Sequence, residues 1–326
     1  MNPTPLLEVS DLRVGFSNEE GEALAVDGVS FSVGAGETLG IVGESGCGKS
    51  VSALSILGLV ADPPGRILPG SSVRLRGEEL LTASPARLRD VRGGEIAMVF
   101  QEPMTSLNPV LRVGDQIAEA VRRHTDLRGD AVKERVVSLL DRVGIPDPAD
   151  RSRAWPHQLS GGMRQRAMIA MALAGDPELL IADEPTTALD VTIQVRILKL
   201  LDDLRREREM ALLLITHDLG IVAQVADRVA VMYAGRIVEE GRSENLFARP
   251  AHPYTAGLLR SIPDPDRPGE RLEAIPGSVP SPHDWPSGCR FHPRCTVALD
   301  RCLRDSPSLM EAPATRAACW LVEETP

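Results

Sequence analysis

Residues Gly43-Glu44-Ser45-Gly46-Cys47-Gly48-Lys49-Ser50 fit G-x-x-x-x-G-K-[ST], the P-loop pattern. Glycines at Gly43, Gly46 and Gly48 let a tight loop turn successive backbone N–H groups inward, which makes a nest for an anion. A helix opening near Lys49 and running on through Val51 adds unpaired N–H groups and the positive end of its dipole. Lys49 can then reach the outer phosphates of a nucleotide, and the Ser50 hydroxyl is a ligand for Mg²⁺. A second stretch able to do chemistry is Asp183-Glu184, two carboxylates that end the apolar run Leu179-Leu180-Ile181-Ala182. Beside a phosphate cradle the first carboxylate holds Mg²⁺ and the second polarises the attacking water, because phosphoryl transfer rests on positioning and charge stabilisation. A third is Leu159-Ser160-Gly161-Gly162-Met163, a serine and two glycines opening a helix, which forms another phosphate-binding terminus. With the P-loop already present, that terminus calls for a second nucleotide contact.

These groups need elements to hold them. Thr38 to Val42 reads as a strand and Val51 to Leu59 as a helix, the strand–loop–helix context that the P-loop requires. Leu7, Val9, Leu12 and Val14 lead to Phe16 in a loosely alternating strand, and Val29, Phe31 and Val33 alternate strictly. They predict a small antiparallel layer beside the main sheet. Pro63 to Gly70 reads as a loop, followed by a short strand at Val73 and Leu75. Ile96 to Phe100 is a buried strand that ends at Gln101. From Val113 to about Val143 the period is helical, and a further helix runs from about Gly162 to Ala174. Leu212 to Ile215 is a buried strand that leads to His217, and a hairpin turns at Tyr233-Ala234-Gly235. Strands alternating with helices predict an α/β fold with a mainly parallel sheet, the ligand lying at the strand C-terminal ends.

The 326 residues carry 43% hydrophobic and 25% charged side chains, as in a soluble globular protein. A net charge of −10 argues against nucleic acid as a partner. No signal peptide is apparent at the start, and no apolar run reaches the roughly 18 residues that would span a bilayer. Composition changes near Leu246. Thirteen of the 26 prolines and four of the five cysteines lie between there and Pro326. Cys289, Cys295, Cys302 and Cys319 are separated by five, six and sixteen residues. In a reducing compartment, four thiols in a loop-rich segment suggest a metal site standing in for a core, and the spacing leaves zinc and iron–sulfur both open. Cys47 occupies a free position of the P-loop as a small spacer.

Leu159-Ser160-Gly161-Gly162-Met163-Arg164-Gln165-Arg166 resembles the signature motif of the ATP-binding subunits of ABC transporters. Gln101 resembles that family's Q-loop, Ala188-Leu189-Asp190 its D-loop and His217 its switch histidine, and Phe16 stands where an aromatic residue stacks on adenine. The resemblance covers residues 7 to about 245. It implies an ABC ATPase fold of the P-loop NTPase class over residues 1–245, with a helical subdomain at about 102–174. It further implies that ATP is bound by Phe16 and by residues 43–51. Mg²⁺ is then held by Ser50, Gln101 and Asp183, with Glu184 as catalytic base and His217 as γ-phosphate sensor. Ser160, Gly161 and Gly162 close over the nucleotide of a second, different ATPase subunit. Gln101 to Pro109, His252-Pro253-Tyr254-Thr255 and the stretch from Cys289 to Cys295 resemble the oligopeptide/dipeptide/nickel import group. That narrower likeness implies two transmembrane permease subunits, an extracytoplasmic binding protein, a peripheral position on the cytoplasmic face of the membrane, and a [4Fe–4S] cluster on the four tail cysteines (residues 246–326). Peptides are the implied cargo, with nickel complexes or glutathione as alternatives. A soluble ABC ATPase uncoupled from transport would carry long coiled coils or two cassettes in one chain, and neither is present.

Overall fold

The computed structural model describes residues 4–18, 21–101, 106–186, 191–261 and 274–324. The strands are β1 (Leu7–Asn18), β2 (Gly21–Val33), β3 (Thr38–Val42), β4 (Gly65–Ile67), β5 (Ser72–Leu75), β6 (Glu78–Glu79), β7 (Ile96–Val99), β8 (Leu179–Asp183), β9 (Ala211–Thr216), β10 (Arg228–Tyr233), β11 (Arg236–Arg242), β12 (Met310–Glu311) and β13 (Arg316–Ala317). The helices that matter below are α1 (Lys49–Ile56), α2 (Pro85–Gly94), α3 (Val113–His124), α4 (Asp130–Arg142), α5 (Gly161–Ala172), α6 (Val191–Arg208), α7 (Leu219–Val225) and α8 (Pro253–Arg260). Among the described residues no helix is long and apolar enough to cross a membrane. The chain forms two compact units, one from residues 1–34, 38–81 and 214–326, the other from 35–37 and 82–213.

In the first unit β1 and β2 pair antiparallel, with Val9 opposite Phe31, Leu12 opposite Val29 and Val14 opposite Val26. All six of these side chains are buried, so one face of the ribbon is core. β4 and β5 add to the other edge of β1, and β6 pairs with β5. This is the expected antiparallel layer. A second sheet sets β3 parallel to β10, with Leu39 opposite Arg228 and Val42 opposite Val231. All five residues of β3 are buried, as the strands of a covered parallel sheet are. β11 pairs antiparallel with β10, and the tail strands β13 and β12 continue from β11.

The tail is therefore stitched into the sheet. The fully buried Glu239 carboxylate accepts from the backbone N–H groups of Ala251 (2.8 Å) and His252 (2.9 Å) and from the Thr315 hydroxyl (2.8 Å). Tyr233, Tyr254, Phe291 and His252 then pack ring on ring, with centroids 4.6 to 5.7 Å apart. Sequence reading expected a tail with too little apolar matter for a core. Four rings brought together from positions 233 to 291 supply one.

The second unit holds β7 parallel to β8, with Ile96 opposite Leu179 and Val99 opposite Ala182. α3 buries Val113, Ile117 and Val121, and α4 buries Val132, Val136, Leu139 and Leu140, each a stripe at helical spacing. The helical insertion expected from Val113 to about Val143 consists of two helices. Thr125 ends the first and Gly129, with φ 60°, precedes the second. The buried Gln116 donates to the carbonyls of Asn108 and Leu111 and accepts from the Asn108 N–H, which folds the segment before α3 back on itself. Among the elements not foreseen, β4 lies within the expected Pro63–Gly70 loop, and α2 is a polar helix started by the Ser84 cap and Pro85.

His252 caps α8, its Nδ1 accepting the Tyr254 N–H at 3.0 Å, and burial pulls its pKa down from 6.5 to about 4. The neutral ring is the form that folds, while the unfolded chain takes up a proton near pH 6.5. Stability is thus fully present above about pH 6.5 and declines as pH falls toward 4, by on the order of 3 kcal/mol. Urea denaturation at pH 7 and pH 5 should show this loss, and His252→Asn, which keeps an acceptor for the Tyr254 N–H, should flatten it.

Candidate active site

β3 delivers the chain to Gly43, and α1 takes it away at Lys49. A Cβ on Gly43 would lie 2.1 Å from the Met232 carbonyl oxygen, so only glycine permits β10 to pass this close. Gly48, the N-cap of α1, has φ 102°, and a Cβ there would meet the Ala25 carbonyl at 2.6 Å. Lys49 is 4% exposed and its Nζ donates to the carbonyls of Gly43 (2.8 Å) and Glu44 (3.0 Å), which bends the ammonium back over the loop. Ser45 and Gly46 are exposed at the tip, and Ser50 and Val51 are half-buried at the start of the helix. α1 has no acidic residue in its first turn, so none of its own side chains offsets its N-terminal dipole. Burial pushes the Cys47 thiol up, against the pull of Lys49, so it stays a protonated spacer as expected. Phe16 is half-buried on β1, its ring against Gly65, where a Cβ would approach it to 2.8 Å.

Sequence reading missed what holds this loop from outside. The Glu44 N–H donates to the Tyr254 hydroxyl at 3.0 Å, and the Glu44 carboxylate accepts both Nη groups of Arg294, at 2.9 and 3.1 Å. The motifs containing Tyr254 and Arg294 stood out in the sequence, but nothing in their spacing pointed to the P-loop. His217, exposed and just past β9, lies in this same unit.

In the second unit Asp183 is the buried last residue of β8, and Glu184 follows with φ 44°. A non-glycine residue in this region is strained, and such strain gathers at functional sites. Gln101 Nε2 donates to Glu184 Oε2 at 3.1 Å, so the Q-loop and acidic-pair residues named separately from sequence meet. Ser160 caps α5, its hydroxyl accepting the Met163 N–H at 3.3 Å. Ser160 and Gly161 are exposed, whereas Gly162 is buried with a Cβ position 3.1 Å from Ile193. The N-terminus of α5 thus faces outward from its own unit. Asp190 lies outside the described residues, as do residues 102–105.

Cys289, Cys295, Cys302 and Cys319 are all unbridged and line one narrow cavity. Burial pushes the thiols of Cys289, Cys295 and Cys319 up, the last to about 11, and repulsion among the four adds to it. The cavity measures about 10 Å³, room for roughly one water. Among the described residues no group of three or more His, Cys, Asp or Glu side chains is arranged to hold a metal ion. The four thiols lining this one cavity have the donor chemistry of a [4Fe–4S] cluster.

A family described as ABC transporter matches residues 26–187, and one described as oligopeptide/dipeptide transporter, C-terminal region, matches 238–302. The dipeptide transport ATP-binding protein DppD of Escherichia coli is 51% identical over 315 residues, covering 96% of each chain. The chain is an ABC transporter ATP-binding subunit of the oligopeptide/dipeptide group. A peptide import ATP-binding protein of Brucella abortus is 54% identical over 94% of this chain and 92% of its own. AppD of Bacillus subtilis, an oligopeptide transport ATP-binding protein, is 49% identical over 98% and 97%. Among solved structures, the dimeric ATP-binding cassette MJ0796 bound to ADP and Pi has a TM-score of 0.65 at 25% identity, covering 73% of this chain and 98% of that one. This ABC subunit thus has the ABC ATPase fold, with the P-loop set between a fully buried strand and a helix.

Gly43→Ala puts a methyl group into the Met232 carbonyl, so the loop must shift. ATP affinity of the purified full-length variant, measured by fluorescent-nucleotide titration, should fall more than about tenfold, the loss of one good hydrogen bond to a charged group.

Proposed function

We propose that this subunit hydrolyses ATP to drive the uptake of peptides through a membrane permease. The observation that carries the reading is Glu184, a strained carboxylate at the end of a buried strand and held by Gln101, in a chain with an intact P-loop. Glu184 takes the proton from the attacking water, and Gln101 orients that carboxylate. Lys49 and the backbone of residues 43–51 bind the phosphates, Phe16 stacks on adenine, and His217 contacts the γ-phosphate. Ser50, Gln101 and Asp183 would hold Mg²⁺, which neutralises charge on the β- and γ-phosphate oxygens when bound.

Exposure of Ser160 and Gly161 supports a role for α5 in trans, on nucleotide bound by a second and different ATPase subunit, with Asp190 contributing at that dimer interface. Val110 (76% exposed), Leu111 (41%) and Phe100 (38%) present apolar surface on the second unit, which supports contact with one of the two permease subunits. The subunit sits peripherally on the cytoplasmic face, and an extracytoplasmic binding protein supplies the cargo. The dipeptide and oligopeptide transport functions of the relatives favour those cargoes over nickel complexes or glutathione. Residues 1–245 form the ATPase domain and 246–326 the extension, a division that the two family matches support. Convergence of the four tail thiols supports them as ligands of a [4Fe–4S] cluster. Iron and acid-labile sulfide in anaerobically purified protein would bear this out, and stoichiometric zinc or no metal would remove it.

Glu184→Gln keeps the size and the Gln101 contact but removes the base. ATP binding by the variant should stay near wild type while turnover by the assembled transporter falls by about 10²- to 10⁴-fold. Near-normal hydrolysis would overturn the assignment.

A further inference from the structure

The stretch Cys289-Arg290-Phe291-His292-Pro293-Arg294-Cys295 carries two arginines between two of the tail thiols, and one of them, Arg294, ends on the P-loop. Arg294 is 6% exposed at its side chain. Its Nε donates to the Pro276 carbonyl at 2.8 Å, which fixes the guanidinium, and its two Nη groups grip the Glu44 carboxylate side by side. Tyr254 closes on the same residue through the Glu44 backbone N–H. Burial and the neighbouring Glu44 charge raise the Tyr254 pKa, so its hydroxyl stays neutral and free to accept that bond. Arg290 acts one step removed. It stacks on Trp285 at 3.3 Å and donates to the Ala234 carbonyl at 2.5 Å. The next residue, Gly235, donates its N–H to the Cys47 carbonyl at 3.0 Å. Trp285 sits over Gly235, where a Cβ would come within 2.7 Å of the ring. The second and fifth residues of the loop, Glu44 and Cys47 at its two shoulders, are thus tied to one seven-residue segment of the tail.

We propose that Arg294 is a positioning residue for ATP, assisted by Tyr254 and Arg290: it holds the empty P-loop in its nucleotide-binding shape through Glu44, so that the tail sets ATP affinity. A glycine-rich loop loses much backbone entropy when it orders. Ordering it beforehand removes that cost from binding. The same ties run in reverse, so a change in the thiol cluster next to Arg290 and Arg294 reaches the phosphates without any contact between them.

This rests on the reading of residues 43–50 as the ATP loop, and the experiment separates the two. ATP affinity of purified full-length protein is measured by fluorescent-nucleotide titration for Arg294→Ala, Arg294→Lys, Glu44→Gln, the Arg294→Ala/Glu44→Gln pair and Lys49→Ala, each checked for folding by circular dichroism. Arg294→Ala and Glu44→Gln should each weaken binding about tenfold, and the pair no further than either alone, because both remove one charge-assisted bond. Arg294→Lys should recover part of the loss, since an ammonium keeps the charge without the fork. In the assembled transporter Arg294→Ala should raise KM for ATP by the same factor while turnover at saturating ATP stays close to wild type, a split that general destabilisation of the tail would not give. Should Arg294→Ala fail to fold, Glu44→Gln tests the clamp from the loop side with the tail intact. Wild-type affinity in Glu44→Gln or Arg294→Ala, or losses that multiply in the pair, would overturn the proposal. Lys49→Ala should abolish binding. Wild-type affinity in that variant would instead overturn the ATP-loop reading beneath it.

Discussion

A cradle built from backbone N–H groups binds phosphate tightly only if its glycines are held still before the phosphate arrives. Everything around residues 43–50 in this subunit answers that constraint. β3 is buried along its whole length and fixes where the loop begins. Close approach of the Met232 carbonyl to Gly43 and of the Ala25 carbonyl to Gly48 leaves the backbone little room to move. Lys49 bridges the Gly43 and Glu44 carbonyls in the loop, where phosphate oxygens would otherwise receive it. Arg294 and Tyr254 grip the outer shoulder. The loop's conformational entropy is thus removed by packing, by charge and by the tail together.

The second unit shows the same economy with strain. Glu184 carries a left-handed backbone on a residue with a full side chain, a conformation that costs on the order of 1 kcal/mol or more and persists only where the surroundings impose it. β8, buried on every residue, imposes it from one side, and Gln101 holds the carboxylate from the other. Local conflict of this kind is what functional sites in otherwise consistent folds are expected to show.

Much of the architecture was legible in the sequence because its signals are local. The P-loop spacing, the apolar run into Asp183-Glu184 and the strict alternation of Val29, Phe31 and Val33 each fix an element from its own residues. What escaped was non-local or weakly patterned. Glu44 and Arg294 lie 250 residues apart, and no local pattern joins them. α2 buries only Val91, so no apolar stripe announced it, although Ser84-Pro85 was a readable start signal. The tail's cysteines suggested metal in place of a core, whereas its core is assembled from Tyr233, His252, Tyr254 and Phe291, rings too scattered in sequence to be counted together.

One nucleotide loop, one strained carboxylate and an outward-facing signature helix together serve peptide uptake, and the coupling of hydrolysis to that uptake is the central point. The most direct measurement is ATP-dependent accumulation of a radiolabelled dipeptide in proteoliposomes holding the complete transporter with its binding protein. Accumulation that requires ATP, with hydrolysis stimulated by peptide-loaded binding protein, is the expected result. Hydrolysis indifferent to peptide, with no accumulation of dipeptide or longer peptide, would contradict it.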